Sequence, residues 1–164
     1  LQAELGVSKE KAEELFTVYH ERVPFVKTLM NSVSNRAQQR GQIRTLLGRL
    51  CRFHLWEPNQ FGIHKALPFE QARQEYGSGI RRAYTYKALN KLIQGSAADM
   101  TKKSMLELYK EGIVAHIQVH DELDISIESD IKAKRIKQIM ESAVELEIPN
   151  KVDYESGENW GDVK

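Results

Sequence analysis

Leu15, Val18 and Tyr19 recur at the three-and-four spacing of one helix face, and Ser8 stands where an N-cap belongs, with Glu10 in the first turn. Pro24 ends or kinks that helix and can open the next, which reads on to about Arg40 before Gly41 stops it. Ile43 to Leu46 and Leu50 to Trp56 read as two short strands around Gly48, a hairpin pattern. Pro58, Asn59, Gly62 and Pro68 mark Glu57 to Leu67 as a loop. Pro68 to Tyr76 reads as a short helix closed by Gly77. From Ser78 to Glu111 the period is helical, interrupted or bent near Gly95, with Gly112 as the C-cap.

The pattern then changes. Ile113 to Val119 and Leu123 to Ile127 are β-branched and alternating, so they read as strands with His120-Asp121-Glu122 at a tight turn between them. Ser129 or Asp130 can cap an amphipathic helix running to about Glu147, which Pro149 and Asn150 break. Val152 to Glu155 reads as a returning third strand. Helices followed by hairpin, helix and strand predict an α+β fold.

The 164 residues suit about one domain, since domains run roughly 100–200 residues. Apolar residues at 41% and charged residues at 29% exclude disordered, collagen-like and coiled-coil classes. The single Cys51 excludes an internal disulfide framework and a Cys-rich zinc site, and fits a reducing compartment. No apolar run approaches the ~20 residues of a membrane span, and the first residues lack a signal-peptide pattern. The absence of an initiator Met suggests an N-terminus cut, trimmed or inherited from a longer chain.

Charge changes the picture more. The net charge of +1 conceals a split: residues 1–110 hold 18 basic and 10 acidic residues, and residues 111–164 hold 6 and 13. The stretch 36–91 carries 11 basic residues against Glu57, Glu70 and Glu75. Such asymmetry points to nucleic acid, or else to a solvated surface whose signs segregate by chance.

Two constellations could carry chemistry. On a strand, Val119, Leu123, Ile125 and Ile127 share a parity with Asp121, and a carboxylate on the buried parity calls for a compensating charge. A divalent cation would supply it. Glu122 lies on the opposite parity, but a turn can swing it toward the same ion. Magnesium commonly takes one or two carboxylates plus substrate phosphates, so Asp121 helped by Glu122 suits half of a two-metal phosphoryl-transfer site. An acidic turn in water would read the same way. In the helical stretch after Gly79, Arg82, Tyr86, Asn90 and Gln94 are spaced i, i+4 and form a polar stripe of hydrogen-bond donors. Every Watson–Crick pair shows an acceptor in the minor groove, so Asn and Gln there can test base-pair geometry without reading sequence. Gly95, Ser96, Ala97 and Ala98 would let another backbone approach closely. A solvated helix face followed by tight packing is the alternative.

Together these segments resemble the C-terminal part of family A DNA polymerases, the bacterial DNA polymerase I type, in a phage-like form. The match rests on Asn90-xxx-Gln94-Gly95-Ser96-Ala97-Ala98-Asp99, then Gln118-Val119-His120-Asp121-Glu122-Leu123, similar to the family's motif C hairpin. Ser156-Gly157-Glu158-Asn159-Trp160 is similar to the family's closing segment, and Leu5-Gly6-Val7-Ser8 through Tyr19, Arg22 and Pro24 to the region after the nucleotide-binding fingers helix. The tract Arg52 to Tyr76 fits least well.

The resemblance implies that residues 1–77 are the C-terminal part of the fingers with a connecting hairpin and loop. Residues 78–164 would be palm, with a duplex-binding helix and the motif C hairpin. It implies Asp121 as a catalytic carboxylate binding Mg2+, Glu122 as support for the metal or the primer end, and His120 as a contact near the primer terminus. Asn90 and Gln94 would meet the nascent duplex in its minor groove, with Arg82 at the start of the same stripe. Many relatives have Arg or His where Tyr86 stands; here either Tyr86 donates through its hydroxyl or the adjacent Lys87 takes a phosphate.

No Asp-Tyr-Ser-type motif with the family's other catalytic Asp occurs, nor does the fingers helix that holds the triphosphate. The expectation is therefore a DNA-directed DNA polymerase segment, incomplete alone. Its partners would be primer–template DNA, deoxynucleoside triphosphates and an N-terminal polymerase chain or segment, in bacterial or phage-infected cytoplasm and away from membranes. A non-catalytic nucleic-acid-binding module and a metal-dependent nuclease are the alternatives.

Overall fold

The computed structural model describes residues 6–163, so Leu5 of the N-terminal resemblance lies outside the described residues. The elements run α1 (Lys9–Arg22), α2 (Pro24–Arg40), β1 (Gln42–Arg44), β2 (Leu50–Arg52), β3 (Leu55–Pro58), β4 (Leu67–Pro68), α3 (Phe69–Tyr76) and β5 (Ile80–Arg82). A 3-10 turn (Thr85–Lys87), α4 (Ala88–Lys110), β6 (Ile117–Val119), β7 (Glu122–Asp124), α5 (Asp130–Ser142) and a last 3-10 turn (Trp160–Asp162) follow. This is an α+β chain with small antiparallel sheets. It divides into two compact units, one of residues 1–44 and 48–92, the other of residues 45–47 and 93–164.

In the first unit, Ser8 caps α1 through its side-chain oxygen, which accepts from Lys11 N–H, and Pro24 opens α2 at its first turn. Gly41 closes α2 in the left-handed conformation at φ 68°. β1 pairs with β2, and β3 sits between β4 and β5 in a three-stranded sheet. Val33 and Ala37 of α2 bury against Ile43, Phe53 and Ala88, with Cys51 and Leu92 packed alongside. None of the described α1 side chains is buried.

In the second unit, Leu108 and Ile113 from the end of α4 pack against Ile136 and Ile139 of α5. Leu123, Ile125 and Ile127 add the hairpin side of that core. Ser129 caps α5, accepting from Lys132 N–H at 3.3 Å. Arg135 of α5 hydrogen-bonds Glu111 beyond the end of α4 and holds its carboxyl below the usual carboxylate range; Lys103 and Lys110 do the same for Glu107.

Several expectations need correction. Leu50 to Trp56 is not one strand: β2 ends at Arg52, and Leu55 opens β3 in a different sheet. Part of the loop expected from Glu57 is therefore paired strand. The stretch from Ser78 is not all helix, because Ile80–Arg82 is claimed by β3, with Trp56 opposite Arg82. Strand pairing overrode a short local period there, and α4 begins only at Ala88. From there α4 runs through Gly95 without interruption.

β6 and β7 are each three residues long, and Ile125 and Ile127 serve the core beyond the paired segment. α5 ends at Ser142, not Glu147. The Ser142 hydroxyl donates back to Gln138 O at 2.7 Å, a competing bond typical of Ser in helices. Val152 to Glu155 forms no strand, and the Val152 N–H donates to Glu141 Oε1 at 3.1 Å instead.

Candidate functional site

The hairpin β6–β7 turns in two residues. Val119 pairs with Glu122, leaving His120 and Asp121 as the loop. A two-residue turn requires a left-handed residue at one or both central positions, which usually selects Gly or Asn. Here His120 takes φ 52°. The cost of such a position is on the order of 1–3 kcal/mol, and it persists only where surrounding structure enforces it. Gln118 helps, donating through Nε2 to His120 O at 2.7 Å. His116 N–H donates to Asp124 O at 2.9 Å and extends the ladder below.

This turn corrects the parity argument. Asp121 does not lie on a buried strand face; it stands exposed in the turn, with Glu122 exposed beside it as the first residue of β7. Two adjacent carboxylates at an exposed turn offer hard oxygen donors of the type Mg2+ prefers. Among the described residues no group of three or more His, Cys, Asp or Glu side chains is placed to hold an ion. Two carboxylates alone would leave most of a cation's shell to phosphates, water or ligands from elsewhere.

The polar stripe is only partly a stripe. Asn90 and Gln94 are exposed and one helical turn apart on α4, as the spacing requires. Arg82 is not on that helix. It lies on β5, where Nε donates to Gln38 O at 3.2 Å and Nη1 to Phe53 O at 2.9 Å, and the guanidinium sits 4.5 Å from the Trp56 ring centroid. The close approach depends on Gly41, since a Cβ there would meet Arg82 Cζ at 2.7 Å. Arg82 therefore spends its donors inside the fold.

Tyr86 and Lys87 occupy the 3-10 turn before α4, and the structure brings them together. Lys87 Nζ lies 5.6 Å from the Tyr86 ring centroid and 5.4 Å from that of Tyr84. Tyr84 itself has φ 61°, a backbone region that strains a bulky residue. Tyr84 is absent from the sequence-derived candidates. Its only advance signal was an aromatic two residues before Tyr86, which hydropathy alone does not distinguish from packing. The small-residue run on α4 does admit another backbone, because Leu46 N–H donates to Ser96 Oγ at 3.0 Å.

No helix among the described residues is long and apolar enough to cross a membrane. The family model for DNA polymerase family A matches residues 1–162. The chain is 34% identical over 151 residues to a DNA-directed DNA polymerase of Pseudomonas phage M6, covering 92% of this chain and 20% of that protein. It is 34% identical over 173 residues to DNA polymerase I of Bacillus caldotenax, covering all of this chain and 18% of that one. The chain thus spans about a fifth of the length of these relatives. Among solved structures it is similar to the POL domain of Pol1 from M. smegmatis, in complex with DNA primer-template and dNTP. That likeness has a TM-score of 0.65 at 26% identity, covering 91% of this chain and 25% of that one. A family match across nearly the whole chain, with His120-Asp121-Glu122 on a two-residue hairpin, places the chain in DNA polymerase family A.

Proposed function

We propose that this chain is the C-terminal catalytic segment of a template-directed DNA polymerase, adding nucleotides to a primer 3′ end when joined to an N-terminal polymerase segment. The observation that carries this reading is the hairpin that presents His120, Asp121 and Glu122 in a chain matched to family A over residues 1–162. Residues 1–77 are read as fingers with a connecting hairpin and loop, and 78–164 as palm. The named relatives work in bacterial and phage settings, which supports the cytoplasm as the working compartment.

Asp121 is assigned to hold Mg2+ at the exposed turn, with Glu122 supporting the ion or the primer end. An ion held there would supply Lewis-acid stabilisation of the charge that develops in phosphoryl transfer. A pair of such ions would need a second carboxylate source, which the N-terminal segment would supply. His120, held by its turn, is assigned to the primer backbone. Asn90 and Gln94 donate to the minor-groove acceptors that all correct base pairs share, so they sense pairing without reading sequence. The basic character of residues 36–91 suits the phosphate backbone.

The test is divalent-metal-dependent extension of a primed template, run with the chain alone and with a family A N-terminal segment. Extension only in the mixture is the expected result. Extension by the chain alone would overturn the division of the site between two segments. Metal-dependent degradation in its place would favour a nuclease, and DNA binding without extension in any mixture would favour a binding module.

A further inference from the structure

We propose that Tyr84 is a positioning residue that holds Lys87 as a fixed phosphate ligand for the primer–template backbone; this rests on the reading of the chain as a polymerase segment. The first observation is strain. Tyr84 adopts φ 61°, and a left-handed bulky residue persists only where its surroundings over-determine it.

The surroundings do so. Ser34 Oγ donates to Thr85 O at 3.2 Å, and Ala83 N–H donates to Leu55 O at 2.8 Å. In the amide orientation that satisfies both ends of its side chain, Gln38 accepts from Arg82 N–H at 2.9 Å. It then donates to Arg82 O at 3.2 Å and to Thr85 Oγ1 at 3.3 Å. The Arg82 guanidinium closes the set on Gln38 O and Phe53 O. Thus α2, from Ser34 to Gln38, grips the chain on both sides of Tyr84.

The second observation is what that grip displays. Tyr84 and Tyr86 are 41% and 69% exposed, and Lys87 lies within cation–π reach of both rings. A lysine normally carries considerable rotamer freedom, and two aromatic faces reduce it. Lys87 has no carboxylate partner among the described residues, whereas Arg81, Lys103, Lys110 and Arg135 all have one. An exposed ammonium, oriented by aromatic rings and unneutralised by acids, is set up for an external anion. In a basic stretch of a polymerase segment, that anion is a DNA phosphate. The arrangement decides between Tyr86 and Lys87: the lysine carries the contact and the tyrosines aim it.

The experiment measures binding of this chain to a fluorescein-labelled primer–template across a salt series. Each phosphate contact on duplex DNA contributes about 0.9 to the slope of log affinity against log salt. Lys87→Gln should lower the slope by about that amount, and Lys87→Arg should keep it. Tyr84→Gly suits the left-handed backbone and should weaken binding about two- to five-fold, the range of an exposed cation–π contact. Tyr84→Phe keeps a ring and should bind like wild type. In a Lys87→Gln background, Tyr84→Gly should have no further effect, because the ring acts through the lysine.

An unchanged slope in Lys87→Gln overturns the phosphate contact, and this exposed substitution does not depend on how the fold responds at Tyr84. A Tyr84→Gly loss equal in both backgrounds, or no loss in either, overturns the positioning role. A wild-type chain that binds no primer–template either alone or mixed with the N-terminal segment overturns the polymerase reading of this surface and the inference with it.

Discussion

Tyr84 and His120 are the two non-glycine residues with left-handed backbone among those described, and they stand in different units at φ 61° and 52°. Each begins or forms a segment assigned to DNA. Their supports differ. The chain around Tyr84 is bolted by Ser34, Gln38, Arg82 and a strand bond from Ala83 to Leu55. The turn at His120 rests on a two-stranded ribbon and one side-chain bond from Gln118. Leu123 joins a core, yet all three residues of β6 are exposed, including Ile117 and Val119. An isolated two-stranded ribbon is marginal in water. The segment before α4 is held from several sides within its own unit, whereas the acidic turn sits on a ribbon whose second edge and outer face lack partners among the described residues.

The sharpest break in this comparison falls at the acidic turn. Asp121→Asn should lower primer extension by the assembled enzyme at least ~10²-fold while DNA binding persists, because the exposed carboxylate works by charge and not by packing. Near-normal extension rates would remove Asp121 from the metal site.

Arg82→Met tests the rigid side. It removes two charge-assisted bonds to buried-side carbonyls and a stacked guanidinium, and should destabilise the chain by about 2–3 kcal/mol in urea unfolding. A loss under a few tenths would mean that the segment before α4 is not held by Arg82. A smaller effect of opposite sign is expected at His120→Gly. Glycine relieves the left-handed strain and should raise stability by up to about 1 kcal/mol, while extension falls for want of the imidazole. Lower stability in that variant would show that the His120 side chain, not only its backbone, supports the ribbon.

The smallest change in stability belongs to Asn90→Ala and Gln94→Ala. Both side chains are exposed, so unfolding should shift by less than about 0.5 kcal/mol while extension from matched primer ends weakens. Unfolding of either variant would mark the pair as structural.

Much of this was legible in the residues. Ser8, Pro24 and Gly41 bound the first two helices because caps and breakers act over three or four residues. Gly77 closes α3 and Ser129 opens α5 for the same reason. The candidate turn was readable because His120-Asp121-Glu122 lies between two alternating apolar runs. Its exposure was not, because strand parity ends where a two-residue turn begins. Arg82 shows the limit best. By spacing it completes a helical stripe with Tyr86, Asn90 and Gln94, but Trp56, distant in sequence, takes it into a sheet and Gln38 and Phe53 occupy its donors.

Local chemistry determined the ends of α1 and α2, the close of α3 and the start of α5, and marked which residues could hold an ion or face a base pair. Only the tertiary structure decided that Arg82 is internal scaffold and that Tyr84 and Tyr86 flank Lys87. It also decided that Asp121 stands in water at a turn. These outcomes depend on contacts between residues far apart along the chain, whose pairing no local period encodes.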